Sequence, residues 1–212
     1  RRRFIRDIAF GSAGVFILGS CSKQFLNVVP TTTLDSETFF NSVSDLILAV
    51  NGVYQSQQNI YGNYLVFICQ EAKSDNVAQN PNDQPERIAI DNFSDDSGNI
   101  AVQDVWIAMY NTINLANAVI FYGPKITGDT TLINRVIGEA KFIRAMTYFE
   151  IGQLWGGVPL RLVPTTDFKN TIVATSSAAD IFTQVENDLN DAISVLPTSY
   201  DGSVKNEVGR AT

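Results

Sequence analysis

Gly138-Glu139-Ala140-Lys141-Phe142-Ile143-Arg144-Ala145-Met146-Thr147-Tyr148-Phe149-Glu150-Ile151-Gly152-Gln153-Leu154 runs directly into Trp155-Gly156-Gly157-Val158-Pro159-Leu160. Together with the residues just before it, this stretch predicts a helix from about Thr131 to Leu154, closed by the turn Gly156-Gly157-Val158-Pro159. Its second half, Phe142 to Leu154, is apolar on nearly all sides except at Arg144, Glu150 and Gln153. A helix of that kind lies buried between neighbours. Phe149 is therefore expected inside, where Phe149→Asp would unfold the protein.

Working outward, the pattern stays helical. Downstream, Ser177-Ala178-Ala179-Asp180 forms a capping box, with Ser177 and Asp180 each satisfying an orphan amide of the first turn. The helix it opens carries Ala178, Phe182, Val185, Leu189, Ala192 and Leu196 on one face before Pro197. The other face is Gln184, Asn187, Asp188, Asp191 and Ser194, which places this helix at the bundle surface and makes Asp188→Ala harmless. Upstream, a helix over roughly 100–122 lines up Val102, Trp106, Met109, Ile113, Ala116 and Ile120 and is stopped by Gly123-Pro124. A further capping box, Ser42-Val43-Ser44-Asp45, precedes Leu46, Ala49, Val50, Val53 and Tyr54. The fold class is all-α.

Two long polar stretches interrupt the helices. Glu71 to Asp104 is rich in Asp, Asn and Gln, and such length without periodicity means a functional loop or disorder. Within it, Arg87-Ile88-Ala89-Ile90 and Phe93 suit a short strand or a docked segment. The second stretch, Gly156 to Thr175, starts at the glycine turn.

Composition narrows the chemistry. The 212 residues include no histidine, which removes Ser-His-Asp and Cys-His catalysis and histidine-ligated zinc. Glycine-rich nucleotide motifs are also missing, so neither a cofactor nor a metal is expected. A glycosidase-like carboxylate pair would have to come from Glu71, Asp75 or Glu139. Acidic residues on helices more often cap or face water, and the sequence does not read as an enzyme. Without the first twenty residues, which hold four Arg and one Asp, the formal charge moves from −7 to −10. That balance argues against nucleic acid as a ligand.

Arg1, Arg2, Arg3 and Arg6 precede an apolar run from Ile8 to Leu18, too short to span about 30 Å of hydrocarbon. It ends in Leu18-Gly19-Ser20-Cys21, which resembles a bacterial lipobox. Residues 1–20 are therefore expected to be a lipoprotein signal peptide. Cys21 is the expected lipid anchor of a mature domain over 21–212, tethered to a membrane without crossing it. Ser22-Lys23-Gln24 lacks the acidic residues that often accompany export to the cell surface. Once Cys21 is lipidated, Cys69 has no disulfide partner, and its apolar surroundings suit a small buried hydrophobe.

Gly138 to Ala145, Tyr148-Phe149 and Leu154 to Leu160 resemble the hallmark segment of SusD/RagB proteins. Phe25-Leu26 with Pro30, Trp106…Tyr110…Ile113…Ala116-Asn117, and Asp188-Leu189…Ala192-Ile193…Leu196-Pro197 agree in order and spacing. The resemblance implies a bundle of tetratricopeptide-like helical hairpins with long ligand-facing loops. It also implies nutrient binding at the cell surface, on the outer membrane, and a SusC-like TonB-dependent transporter as partner. Gly209-Arg210-Ala211-Thr212 looks like the entry to a further repeat helix, so the domain is expected to be incomplete at its C-terminus.

The resemblance further implies that ligand contacts come from the first polar loop. There the candidate residues are Asn80, Asn82, Asp83, Arg87, Asn92 and Phe93, able to hydrogen-bond hydroxyls or peptide amides. Phe93 is the loop's one aromatic, and Trp106 and Trp155 are expected in the core. A glycan or oligosaccharide is the first choice of ligand. A peptide, or a tetratricopeptide-like scaffold for a protein partner, is the alternative.

Overall fold

Local capping signals decide where the helices begin. In this computed structural model, residues 39–62, 69–74, 76–166, 172–200 and 210–212 are described. The expected leader, Cys21, Phe25-Leu26, Pro30 and Asp75 lie outside them. The chain divides into two units, Arg1–Asp35 and Ser36–Thr212, and all described residues belong to the second. Its helices are α1 (Val43–Tyr61), α2 (Pro85–Asp91), α3 (Ile100–Tyr122), α4 (Thr130–Trp155) and α5 (Ala178–Ile193). A 3-10 turn, Gly123–Lys125, follows α3. Both expected capping boxes form, Ser42 with Asp45 and Ser177 with Asp180. Asn99 and Asp129 cap α3 and α4 with their side-chain oxygens. Among the described residues, β structure amounts to an isolated antiparallel bridge between Pro159 and Thr175.

Helix α4 is the axis of the bundle. Its first half packs Ile133, Val136, Ala140 and Ile143 against Leu46, Val50 and Val53 of α1 and Ala116 and Val119 of α3. Its second half packs Ala145, Tyr148 and Ile151 against Val105, Met109 and Ile113 of α3 and Ile181 and Val185 of α5. Helix α5 runs antiparallel to α4 along a seam of small residues seven apart, Gly138, Ala145 and Gly152, all buried. A methyl group added at Gly138 would sit 2.5 Å from Val195, and one at Gly152 would sit 3.1 Å from Phe182. Close approach of the two backbones needs those hydrogens.

The two glycines after α4 do different jobs. Gly156 has φ 70, open only to residues without a Cβ, and turns the chain out of the helix. A Cβ on Gly157 would lie 2.6 Å from the carbonyl of Ser176, where Ser176 N donates to Val158 O at 2.9 Å. The strap that follows, 159–165, is then pinned by side chains. Tyr110 donates to Pro159 O (2.8 Å), and Tyr148 Oη donates to Arg161 O (2.9 Å) while accepting from Arg161 N (2.7 Å). Asn117 Nδ2 donates to Arg161 O (3.0 Å), and Asn114 Oδ1 accepts from Thr165 N (2.8 Å).

Two expectations about buried faces are corrected. Phe149 is 48% exposed and meets Phe182 edge-on at 6.1 Å. It belongs to the stripe Phe142, Met146, Phe149 and Gln153, the side of α4 least covered by other helices. Asp188 is 2% exposed and is not on a polar outer face. Arg144 grips it with two bonds of 2.7 Å, Nε to Oδ2 and Nη2 to Oδ1, and Nη1 donates to Asn117 Oδ1 at 2.7 Å. Gln184 adds a bond to Asp188 Oδ1 at 3.0 Å. The buried stripe of α5 is thus Ile181, Val185, Asp188 and Ala192, and its carboxylate is neutralised from α4.

Of the two forms expected for residues 87–90, a short strand or a docked segment, the second is found, as part of the helix α2. Pro85 presets the first turn of α2 and Glu86 complements its dipole, while Ile90 is fully buried in the core.

Candidate functional site

The segment between residues 76 and 99 is built mostly from short-range bonds. Asn80 Oδ1 accepts from Asn82 N (2.9 Å) and Asp83 N donates to Asn80 O (2.8 Å), which makes a tight Asx turn. Asp83 accepts from Gln84 N (2.7 Å) and lies 3.6 Å from Arg87 one turn on. At the other end of α2, Ser94 N donates to Ala89 O (2.8 Å) and Phe93 N to Ile90 O (3.1 Å). This is a Schellman closure with Phe93 at the position glycine usually takes. Its φ of 54 is left-handed, and its ring is 70% exposed. Asn99 ties the segment back to α2, donating from Nδ2 to Glu86 O at 2.8 Å.

The expected ligand residues therefore fall into two groups. Asn80, Asn82, Asp83 and Arg87 gather at the N-terminal end of α2. Asn92 and Phe93 sit at its C-terminal end, about 10 Å away at 1.5 Å per residue. Arg87 opens onto a hollow of about 550 Å³ between α1 and α3, which also takes Asn59, Asp104, Ile107 and Asn111. A second hollow, of about 480 Å³, is lined by Gln70, Lys73, Asp95, Gln153 and Trp155 and crossed by a Lys73–Asp95 ion pair at 3.0 Å. Burial pushes the Cys69 thiol, which also faces this hollow, up to about 11, so it is no thiolate nucleophile near neutral pH.

Asn59, Lys73, Asp95, Asp104 and Asn111 were not foreseen from sequence. A signal was present on α3, where Asp104, Asn111 and Asn114 recur on the face opposite Val105, Met109 and Thr112. The carboxylate pair considered from sequence does not form around Glu139. That carboxylate is fully buried, between Arg135 (3.2 Å) and Arg210 (2.5 Å), and its place is structural. No cluster of His, Cys, Asp and Glu suited to a metal occurs among the described residues. Trp106 and Trp155 meet edge-on at 5.2 Å and pack on the core, but both are half-buried and each also borders a hollow.

The described residues thus gather amides, a guanidinium, opposed carboxylates and an exposed ring around these hollows. The model of the SusD-like family, described as starch-binding and associating with the outer membrane, matches residues 24–211. A SusD-like protein of Formosa agariphila is 28% identical over 190 residues, covering 87% of this chain and 36% of the relative. A second from the same organism is 28% identical over 202 residues, covering 88% and 37%. The chain thus spans little more than a third of these relatives. Among solved structures, a laminarin-binding SusD-like protein superposes with a TM-score of 0.71 at 25% identity, over 81% of this chain and 37% of that one. A SusD superfamily protein from Bacteroides vulgatus gives 0.69 at 26% identity, over 77% and 36%.

Proposed function

Because this chain belongs to the SusD-like family, we propose that it binds a glycan or oligosaccharide at the outer membrane and hands it to a SusC-like TonB-dependent transporter. The observation that carries the reading is the hollow in which Arg87 faces Asp104, Asn59 and Asn111. Amides and a guanidinium there can bond ring hydroxyls, and the exposed Phe93 ring can meet an apolar sugar face. Asn80, Asn82 and Asp83 shape the Arg87 end of this surface, while Asn92 and Phe93 shape the other. The role is capture without turnover. A lipid on Cys21, after removal of residues 1–20, would hold the protein at the membrane, since acyl chains partition at about 0.8 kcal/mol per buried methylene. Cys21→Ala should then move the protein to the soluble fraction and end palmitate labelling.

Each hydrogen bond exchanged against water nets about 0.5–1.5 kcal/mol, so a few of them give an affinity on the order of millimolar. Calorimetry with laminari-, malto- and xylogluco-oligosaccharides tests the reading. Saturable binding, weakened when Arg87→Ala is combined with Phe93→Ala and with no change in melting temperature, is the expected result. No binding to any saccharide, with capture of peptides from an array, would favour the peptide or scaffold reading.

A further inference from the structure

A further hollow lies between α3 and the strap that follows Gly157 and holds about 630 Å³. That volume is typical of a small-ligand site. One wall is aromatic, with Trp106 and Tyr110 at 4.7 Å between ring centroids. Trp155 stands edge-on against Trp106 and Tyr110 is tied to Pro159 O, so both rings are held in place. The carboxamides of Asn111 and Asn114 follow along the same helix. Asn114 spends its oxygen on Thr165 N at 2.8 Å, which orients its remaining amide donors. Among the described lining residues, Arg161 is the charged one.

Resting on the carbohydrate reading above, we infer that this hollow is a second saccharide subsite, where one pyranose ring stacks on Trp106 and the sugars next to it are hydrogen-bonded by Asn111 and Asn114. Ile107 and Asn111 line both this hollow and the one at Arg87, so the two meet on the outer face of α3. They lie side by side around the helix, with Asp104 and Ala108 on one flank and Trp106 and Tyr110 on the other. A surface that joins them takes a chain of several sugars, with Arg87 at one side and Trp106 at the other. The ligand class is therefore an oligosaccharide, and a monosaccharide would fill only part of the site.

Titration of the protein with a laminari-oligosaccharide series from disaccharide to hexasaccharide, followed by tryptophan emission and calorimetry, tests this. Affinity should rise with length, and emission should change on binding. Trp106→Phe should abolish most of the emission change and weaken the hexasaccharide about tenfold, with a smaller effect on the disaccharide. Ile172→Asp provides a variant that leaves the fold alone, since Ile172 is 98% exposed at the border of the hollow. It should also weaken the long ligands selectively. Oligosaccharide binding that is lost in Arg87→Ala but unchanged in Trp106→Phe and Ile172→Asp overturns the second subsite and leaves the first. Binding of no saccharide by the parent overturns both.

Discussion

The α3–α4–α5 bundle and the 76–99 segment use polar side chains in opposite ways. In the bundle, side-chain bonds join residues far apart in the chain. Arg144 reaches Asp188 across 44 residues, and Glu139 reaches Arg210 across 71. In the segment most bonds close within a turn, as between Asn80 and Asn82, Asp83 and Gln84, or Asp96 and Gly98. Longer ties there are few, Lys73 to Asp95 and Asn99 to Glu86 among them. Bonds of the first kind exist only when the whole bundle has formed. Those of the second kind survive in a locally rearranged chain. A segment made of local turns on a globally locked bundle can rearrange without unfolding its support.

Unpairing the buried charge should have the largest effect. Arg144→Ala should cost about 3–5 kcal/mol, because it leaves the Asp188 carboxylate buried without its partner. Asp188→Ala should cost a similar amount for the mirror reason. Replacing both, as Arg144→Met with Asp188→Leu, should recover most of the loss, since apolar groups of matching volume need no partner. Denaturant melts of the four proteins decide it, and single variants as stable as the parent would mean the bundle does not depend on this pair.

Alkaline titration sharpens the comparison at intermediate size. Burial pushes the Tyr148 phenol up to about 12 from its ordinary 10.0. The fold therefore favours the neutral phenol, whose contribution is complete below pH 10 and lost as pH rises through about 12. The loss should be about 2–3 kcal/mol, seen as a falling melting temperature over that window. Tyr148→Phe should remove that share of the dependence and leave the part due to Tyr54 and Tyr110, whose phenols burial also raises, while losing some stability at neutral pH, because Arg161 loses its hydroxyl partner.

The smallest effect belongs to exposed side chains. Phe149→Asp should change stability by less than about 1 kcal/mol, since the new charge stays in water beside Phe182. Unfolding of this variant would show that the outer stripe of α4 is covered in solution.

Much of the bundle was legible because its signals are local. Ser42 and Ser177 with their partner aspartates mark two helix starts, and Gly156-Gly157 marks the end of a third. The geometry around the two glycines, one needing φ 70 and the other needing space, is a property of those few residues. The candidate site was legible in less detail. Arg87 and Phe93 were picked out, yet the hollow at Arg87 is completed by Asn59 from α1 and by Asp104 and Asn111 from α3. Nothing within a few residues of Arg87 encodes those neighbours.

The four long helices, the capping boxes of two of them and the glycine turn were written in the sequence, along with the resemblance to the SusD-like family. Hydrogen-bond caps and backbone sterics act over three or four residues and can be read there. Only the tertiary structure decided that Asp188 is inside, that Phe149 is outside, and that Glu139 is held between Arg135 and Arg210. A charge is buried when an opposite charge from another element meets it, and an aromatic ring stays exposed when no element arrives to cover it. Both outcomes depend on how helices distant in the chain pack together.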